Sequence, residues 1–345
     1  MKRPADNLQS SSKNATIYEV AVAAKVSTAT VSRVLSGVDP VRESTRQRVL
    51  KVIKHLDYQP SRLAQGLAAG QRKVIGVILP DLQNPFFTAV VHGIEATLCD
   101  AGYTLLLGHS DGLAAREQAH LAVLRSEGAA GMILIPSNDS QADYSSLATA
   151  NTPMVAVDRR PNGLDVDLVA TNNRESVKEA VLHLLSHGYK TIGFINGPAG
   201  LDVTQDRLAG YQDALLSAKI PYQETLVVYS DFRQSGGWEA MSKILDLPKR
   251  PRAVVVANNL MTLGALQAIH ERNVRIPNDL AVISFDDMPW AVSLRPPLTA
   301  LAQPAEELGR TSAQLLLDRL KDPHRPSRQV ILPSHLIVRA SCGSH

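Results

Sequence analysis

The sequence predicts an all-α helix-turn-helix domain at the N-terminus, then a hinge helix, then a C-terminal α/β body of two lobes. Three observations support this prediction. The chain has 345 residues, which exceeds the size of one ordinary domain. A short amphipathic helix pattern with a hydroxyl-rich outer face lies near the N-terminus. Further along, short apolar runs rich in β-branched residues alternate with amphipathic stretches, as in parallel sheets covered by helices.

The first pattern lies in residues 27–35. Val31, Val34 and Leu35 fall at i, i+3 and i+4 and form one apolar stripe. Ser27 is a suitable N-cap. The outer face carries small or hydroxylated residues and one arginine, a composition that fits the DNA major groove and can contact base edges there. The residues of this face are Thr28, Ala29, Ser32 and Arg33.

Two further helices complete a DNA-binding domain at residues 15–58. Thr16 and Glu19 form a capping box that begins the first helix. A third helix is predicted from about Glu43 to Asp57, with a basic outer side. Residues 1–72 hold 12 Lys and Arg against 5 Asp and Glu, whereas the remainder holds 24 against 28. A basic head on a mildly acidic body indicates that only the head contacts a polyanion.

Two segments flank this domain. Residues 1–14 are polar and are expected to be a disordered tail. Residues 59–72 form a hinge helix and linker, with Pro60 near the helix start and Gly70 at its end. Leu63 and Leu67 are i, i+4 neighbours on a helix too short to persist alone.

The body extends over residues 73–340 and has too many strand-like runs for one small sheet, which indicates two similar lobes. Polar residues follow several of these runs, and ligands of open α/β sheets bind beyond the carboxyl ends of the strands. Such groups suit a polyhydroxylated ligand, although Asp and Asn at strand-to-helix joints are equally explained as caps and turn formers. The polar residues in question are Asp81, Asp158, Arg159, Arg160, Asn196, Asn258, Asn259, Asp286 and Asp287.

Residues 15–37 and 41–49 make the chain resemble the lactose-repressor (LacI/GalR) family of bacterial transcription regulators, and the resemblance continues to about residue 340. It implies Rossmann-like lobes in a periplasmic-binding-protein-like arrangement, with the chain crossing between them three times. The N-lobe would comprise about 73–171 and 303–333, and the C-lobe about 172–302 and 334–340. The implied partners are palindromic operator DNA, a small-molecule effector and a second copy of the chain in a homodimer.

The resemblance and the outer face together give a set of DNA-contacting residues. In the hinge, Leu67 would insert between base pairs of the minor groove, and Ala64 would allow close approach of two hinge helices. Gln65 and Gly66 depart from the family pattern. The predicted DNA-binding residues are Thr16, Ser27, Thr28, Ala29, Thr30, Ser32, Arg33, Thr45, Arg46, Ser61, Ala64 and Leu67.

The predicted effector-binding residues are Phe86, Phe87, Asp158, Arg159, Arg207, Phe232, Asn258, Asp286 and Gln303. They resemble those of sugar sensors more than those of purine sensors. Arg159 and Arg160 at a cleft rim would suit a sugar acid of the gluconate or keto-gluconate type. The alternative is a surface pair with Asp165 or Asp167. A purine or another small metabolite remains an alternative effector.

Several classes are disfavoured. The sequence lacks a nucleophile motif, metal-ligand spacing and a phosphate-binding glycine loop, so neither an enzyme nor a cofactor or metal is expected. It lacks a long apolar run and an apolar N-terminal signal, so a cytoplasmic protein without a membrane partner is expected. An exported sugar-binding protein without a DNA role would lack the basic head. Cys99 is expected to be a core thiol and Cys342 a tail thiol.

Overall fold

The computed structural model describes residues 15–36, 41–58, 73–139, 142–147 and 152–343. The chain divides into two compact units, one ending at Lys73 and the other beginning at Val74. None of the helices in the described ranges is long and apolar enough to cross a membrane.

The N-terminal unit contains three helices: α1 at Ile17–Ala24, α2 at Thr28–Ser36 and α3 at Glu43–His55. The capping box predicted at the start of α1 is present, since Thr16 and Glu19 bond each other's backbone N–H groups. Ser27 Oγ accepts a 3.2 Å hydrogen bond from the Thr30 N–H and so caps α2. Val20, Val31 and Val49, one from each helix, meet in a fully buried core.

The first lobe of the body is a six-stranded parallel sheet with strand order β11-β5-β4-β3-β1-β2. Three long helices accompany it. The elements are β1 Val74–Leu79, α4 Pro85–Asp100, β2 Thr104–His109, α5 Ala114–Ser126, β3 Gly131–Leu134, β4 Met154–Val157, β5 Asp167–Thr171, α10 Ala305–Lys321 and β11 Gln329–Leu332.

The second lobe repeats this plan, with strand order β12-β10-β9-β8-β6-β7 and one antiparallel pair, β10 with β12. Its elements are α6 Asn173–Ser186, β6 Ile192–Asn196, α7 Asp202–Ser217, β7 Val227–Tyr229, α8 Gln234–Leu245, β8 Ala253–Val256, α9 Asn259–Glu271, β9 Ala281–Phe285, β10 Thr299–Ala302 and β12 His335–Ile337.

The chain passes between the two sheets three times. It leaves the first sheet after β5, returns after β10 and crosses again between β11 and β12. Both sheets contain parts of the chain from either side of these crossings. The two lobes are therefore connected by three backbone segments. That arrangement permits a cleft between the lobes whose width changes while each sheet stays intact.

Close helix packing stabilises the first lobe. Gly93 of α4 and Gly309 of α10 lie at the crossing of these helices, where a Cβ atom on either glycine would overlap the backbone of the opposing helix. Only glycine allows this approach, and α4 and α10 together cover one face of the sheet with the core around Ile75, Ile133 and Leu316.

Some local predictions differ from the structure. The apolar runs predicted all the strands from β1 to β4, together with β6, β8 and β9, but not β5, β7, β10, β11 or β12, most of which are short. The two cysteines exchange their expected roles, because Cys99 is exposed on α4 and Cys342 is buried. Cys342 lies in a 3-10 turn at Ala340–Cys342 that packs onto the second lobe.

Candidate ligand-binding cleft and nucleic-acid-binding face

A cleft opens between the two lobes at the carboxyl ends of their strands. It holds about 570 Å³ of atom-free space, including its open mouth. The cleft combines three phenylalanine rings with amides and charged groups. It is lined by Pro80, Asp81, Asn84, Phe86, Phe87, Asp111, Asn138, Asp158, Arg159, Val203, Arg207, Asp231, Phe232, Arg233, Asn258, Asp286 and Gln303.

Four of the lining residues have left-handed backbone conformations. The φ angles are +56° at Asp111, +69° at Asp158, +65° at Phe232 and +73° at Asp286. Non-glycine residues rarely adopt this region, and a bulky phenylalanine does so least readily. Strained backbone of this kind concentrates at binding sites, where it aims a side chain that a regular strand would turn elsewhere.

Asp286 is buried directly after β9. Its carboxylate accepts a 2.6 Å hydrogen bond from the Gln303 amide and a 3.3 Å bond from the Asn259 backbone N–H. Burial raises the pKa of Asp286, while Gln303 and the nearby Arg207 oppose that rise. Gln303 also accepts a 2.7 Å bond from the Thr171 hydroxyl. The carboxylate is therefore fixed in place at the point where the chain returns to the first lobe.

Arg207 is a buried cation on α7. Its Nε donates to Asn173 Oδ1 at 2.7 Å and its Nη1 donates to the Ala257 carbonyl at 2.5 Å. The guanidinium lies 3.8 Å above the centre of the Phe285 ring. Burial lowers the pKa of Arg207, and the carboxylates of Asp158 and Asp286 counteract this. Within the described part of the chain, Nη2 has no acceptor.

Asp158 and Arg159 form a buried ion pair, with 3.2 Å between Arg159 Nε and Asp158 Oδ2. Arg159 Nη1 donates to the Pro136 carbonyl at 3.0 Å and to Asn138 Oδ1 at 2.6 Å. Burial raises the pKa of Asp158, and the Arg159 guanidinium opposes this. The two residues thus form one side of the cleft wall.

The predicted position of Arg159 at the cleft rim is wrong, since its side chain is only 5% exposed. The guanidinium lies between the rings of Phe87 and Phe232, 5.9 and 5.6 Å from their centres. The left-handed backbone of Asp158 turns the following residue inward. Arg160 is exposed, and its backbone N–H, not its side chain, donates to Asp202 at 2.8 Å.

The alternative pairing with Asp165 or Asp167 is not found either. Asp167 accepts from Arg319 and Arg325, and Asp165 accepts from the Ser327 hydroxyl.

The sequence left open whether Asn258 is a helix cap or a cleft-lining residue, and in the structure it is both. Its side-chain oxygen accepts a 2.8 Å bond from the Met261 N–H and caps α9. Its Nδ2 donates to the Phe232 carbonyl at 3.0 Å. Asn258 therefore holds the strained Phe232 segment and also lines the cleft.

Among the described residues, three polar contacts besides the Gln303–Asp286 bond join the lobes around the cleft. Asn259 Nδ2 donates to Asn84 Oδ1 at 2.8 Å, and Arg233 pairs with Asp111 at 3.1 Å. The third is the bond from the Arg160 backbone to Asp202, given above. Each contact links a residue of the first lobe to a residue at a helix start or loop of the second, so all three require the lobes to be close.

The structure therefore brings all nine predicted effector residues to one cleft. It adds lining residues that sequence reasoning did not select, most of them polar residues just after a strand. Proximity to a strand end was the available signal, and it was used for only some strands. Asp81, which the sequence analysis noted as a polar residue after a strand, also lines the cleft, and the additional polar lining residues are Asn84, Asp111, Asn138, Asp231 and Arg233.

On the head, the predicted DNA-contacting residues of α2 lie on its outer side. Thr28, Ala29 and Arg33 are exposed, and Thr30 and Ser32 are half-buried. The Thr16 hydroxyl is used in the α1 cap. Near the start of α3, Thr45 is half-buried and Arg46 is exposed. Ser61, Ala64 and Leu67 lie outside the described residues.

A three-helix DNA-binding head and a two-lobed body with a polar interlobe cleft, in one chain, define a ligand-responsive transcription regulator. The comparisons with known proteins agree. Residues 16–61 match the family of bacterial regulatory proteins of the lacI type, and residues 181–342 match a periplasmic binding protein-like domain. The chain is 35% identical to the HTH-type transcriptional repressor CytR of Escherichia coli K12, over 95% of this chain and 96% of that protein.

Solved structures give the same result. The lac repressor dimer bound to operator and the anti-inducer ONPF aligns with a TM-score of 0.81 and 27% identity, covering 96% of this chain and 99% of that one. The transcriptional regulator CelR–cellobiose complex aligns with a TM-score of 0.73 and 31% identity, covering 95% and 100%. The chain belongs to the lacI family of bacterial regulatory proteins, and the predicted fold class is confirmed.

The relatives are transcription regulators, not enzymes, which supports a non-enzymatic role. Among the described residues, no cluster of three or more His, Cys, Asp or Glu side chains could hold a metal ion.

Proposed function

We propose that this protein is a transcriptional repressor that binds palindromic operator DNA as a homodimer, and that a sugar in the interlobe cleft controls its affinity for the operator. The observation that carries this proposal is the cleft itself. Buried carboxylates, arginines and amides from both lobes converge there, in the same chain as a helix-turn-helix head. A ligand that contacts both lobes favours the closed form by its differential affinity, and this couples the cleft to the rest of the dimer.

The cleft favours a neutral sugar over a sugar acid. Five aspartates line it against three arginines, so it carries a surplus of negative charge. Arg159 and Arg207 each have buried protein partners for Nε and Nη1, which leaves single Nη2 groups rather than a free two-pronged clamp for a carboxylate. Asp158 and Asp286 are well suited to accept hydrogen bonds from ligand hydroxyls.

The phenylalanines supply the apolar part of the site. Phe86 and Phe87 pack edge to face with ring centres 5.2 Å apart, and Phe232 lies on the opposite lobe. A sugar ring has apolar C–H faces and a hydroxyl rim, so aromatic walls with polar groups between them match it. Val203 places an apolar side chain in the cleft wall, at a position where the family resemblance implies polar effector contacts in purine sensors, which supports the sugar over the purine alternative.

On DNA, we propose that Arg33 contacts a guanine in the major groove and that the Ala29 methyl contacts a thymine methyl. The exposed cations of α3, Arg46, Arg48, Lys51 and Lys54, would contact phosphates and set the register. Two heads on a dimer would then bind the two halves of a palindrome.

The dimer proposal has its own support. Strand β2 is an edge strand of the first lobe, yet Leu106 and Leu107 on it are 40% and 42% exposed. An edge strand with exposed leucines needs a cover, and a second copy of the chain would supply it.

A thermal-shift screen tests the effector class. The probes are D-ribose, D-glucose, D-galactose, cellobiose, D-gluconate and hypoxanthine with the full-length protein. Stabilisation by a neutral sugar that also changes operator affinity in fluorescence anisotropy supports the proposal. Stabilisation by gluconate alone would favour the sugar-acid alternative, and stabilisation by hypoxanthine alone would favour the purine alternative.

A further inference from the structure

Glu117 is a buried carboxyl group behind the cleft. It lies on α5, is 0% exposed, and neither of its oxygens has a hydrogen-bond partner of good geometry among the described residues. A carboxyl group without such partners is costly to bury, so its retention in a core position calls for an explanation.

The surroundings of Glu117 lead towards the cleft. The Tyr144 hydroxyl lies against the carboxyl group without reaching good hydrogen-bond geometry. That hydroxyl is 3.5 Å from Ser137 Oγ, and the Ser137 carbonyl accepts a 3.3 Å bond from Arg159 Nη1. Glu117, Tyr144 and Ser137 therefore form a continuous polar layer behind the arginine that lines the cleft.

We propose, on the basis of the effector site described above, that Glu117 is a positioning residue. Its carboxyl group, acting through Tyr144 and the Ser137 backbone, sets the position and charge balance of Arg159, so effector affinity depends on whether Glu117 carries a proton.

The charged and titratable groups that face Glu117 support this role. Burial raises the pKa of Glu117 to about 7, while the Tyr144 hydroxyl, the Ser137 backbone and Arg159 oppose the rise and Asp139 adds to it. On its own helix, His120 is turned away and bonds the His109 carbonyl. The carboxyl group thus changes charge near neutral pH, where an ordinary glutamate would not.

The direction of the effect follows from the charge on Arg159. With Glu117 neutral, Asp158 is the carboxylate paired with Arg159, and the guanidinium is directed to the cleft. With Glu117 ionised, a second carboxylate attracts Arg159 from behind. A neutral ligand that displaces water from the cleft also disfavours a buried anion beside it. Both effects predict tighter binding by the protonated form, and by linkage the ligand raises the pKa of Glu117.

Calorimetric titration of full-length protein with D-ribose, cellobiose and the other sugars of the screen tests this. The wild type should bind about threefold to tenfold more weakly at about pH 8.5 than at about pH 6. Glu117→Gln should bind with the low-pH affinity at both values. Glu117→Leu, which also removes the carboxylate, should likewise show no dependence of affinity on pH. The matched control is Glu127→Gln, an exposed glutamate just after α5, which should titrate like the wild type. Wild-type pH dependence in Glu117→Gln would overturn the proposal.

A readout without any ligand separates this inference from the effector proposal. In a ¹³C and ¹⁵N NMR titration of the full chain, the Glu117 carboxyl resonance and the Arg159 Nε resonance should shift with one shared midpoint near neutral pH. The Arg159 shift should vanish in Glu117→Gln, and the midpoint should rise in Tyr144→Phe. An Arg159 resonance that does not follow Glu117 would refute the inference even if a sugar binds. Coupled resonances without sugar binding would reject only the effector class.

Discussion

The amide of Gln303 donates a 2.6 Å hydrogen bond to the carboxylate of Asp286. Asp286 follows a strand of the second lobe, and Gln303 lies where the chain returns from that lobe to the first. Since Gln303 also accepts from Thr171 at the end of β5, this pair connects a buried carboxylate of the cleft to two of the three backbone crossings. Under the proposed function, a ligand that contacts Asp286 would therefore be linked to these crossing segments.

The first prediction concerns Asp286. Asp286→Asn keeps the shape of the side chain but removes its charge, so a sugar hydroxyl loses a charge-assisted hydrogen bond. We expect roughly a 10- to 100-fold loss of sugar affinity. Operator affinity without sugar should stay within about threefold of wild type, because the head does not include this residue. Calorimetry with the sugar that stabilises the protein most in the screen measures sugar affinity, and fluorescence anisotropy with labelled operator measures operator affinity.

Asp246→Asn is the control for that experiment. Asp246 is a largely exposed aspartate on the same lobe, paired only with Arg272. If both variants lose sugar affinity equally, Asp286 does not contact the ligand.

The second prediction concerns the head. Arg33→Ala should relax the preference at one base pair of each half-site by about 1–3 kcal/mol while leaving other positions unchanged. Arg48→Ala, on the exposed side of α3, should instead weaken all sequences about equally and reduce the dependence of log affinity on log salt by about one.

Anisotropy with an operator obtained by in vitro selection, with each base pair varied in turn and with a salt series, distinguishes the two. An unchanged base preference in Arg33→Ala would remove Arg33 from the residues that contact bases.

Local rules predicted the local features of this chain. The capping box at Thr16 and the cap at Ser27 depend on residues three apart in sequence, and both are present. Continuous apolar runs predicted most interior strands of both sheets but not β5 or β10. The edge strands β7, β11 and β12 are only three or four residues long and half-exposed, so their apolar pattern is weak.

The orientation of Arg159 shows what sequence could not predict. Arginine after a strand-end aspartate is ordinarily exposed. Here the left-handed φ of Asp158 turns it inward, and carbonyl groups some twenty residues earlier in the chain satisfy its guanidinium. The second cause is non-local, because the Pro136 and Ser137 carbonyls reach Arg159 only once β3 and β4 are paired.

The third prediction concerns stability and pH. The pKa of Glu117 is about 7 in the folded protein, against an ordinary value of 4.5. Between these values the folded state binds more protons than the unfolded state, so the free energy of unfolding falls as pH rises. The stabilisation that the protonated Glu117 contributes to the free energy of unfolding is complete below about pH 4.5 and is lost as the pH rises past 7. The loss is roughly 3 kcal/mol.

Urea unfolding of wild type and Glu117→Gln from about pH 5 to pH 8 measures how the free energy of unfolding changes with pH. Burial also raises the pKa values of Asp158 and Asp286, so these residues also make the free energy of unfolding fall as pH rises. The difference between the two proteins isolates Glu117. A difference that does not change with pH would contradict the prediction.

The fourth prediction concerns the dimer. Leu107→Glu on the exposed side of β2 should convert a dimer to a monomer, because a buried unpaired carboxylate at an interface is strongly unfavourable. Operator affinity should fall at least about tenfold, since one head reads only a half-site. Light scattering after size exclusion measures the mass. Leu216→Glu, an exposed leucine of α7 with 77% exposure, is the control and should leave the mass unchanged. Equal masses for both variants would place the interface elsewhere.

The last prediction concerns Asp167, which is 0% exposed at the start of β5. Its carboxylate accepts 2.7 Å bonds from Arg319 Nε, Arg325 Nη2 and the Arg328 backbone N–H. Burial alone would raise the pKa of Asp167, but the bonds from both arginines outweigh it and lower the pKa. This stabilisation is present above the unfolded pKa and is lost as pH falls through the lower folded value.

Asp167→Ala leaves two arginines in a buried site without their carboxylate. We therefore expect the free energy of unfolding at neutral pH to fall by about 3–5 kcal/mol. Asp165→Ala, two residues earlier, loses only the hydroxyl bond from Ser327 and should cost less than about 1 kcal/mol. Urea unfolding followed by circular dichroism measures both. Strand β5 leads into the first crossing between the lobes. A loss of stability confined to Asp167→Ala would support the role of this ion cluster in holding the crossing segment in the first sheet. Equal losses of stability in the two variants would contradict that role.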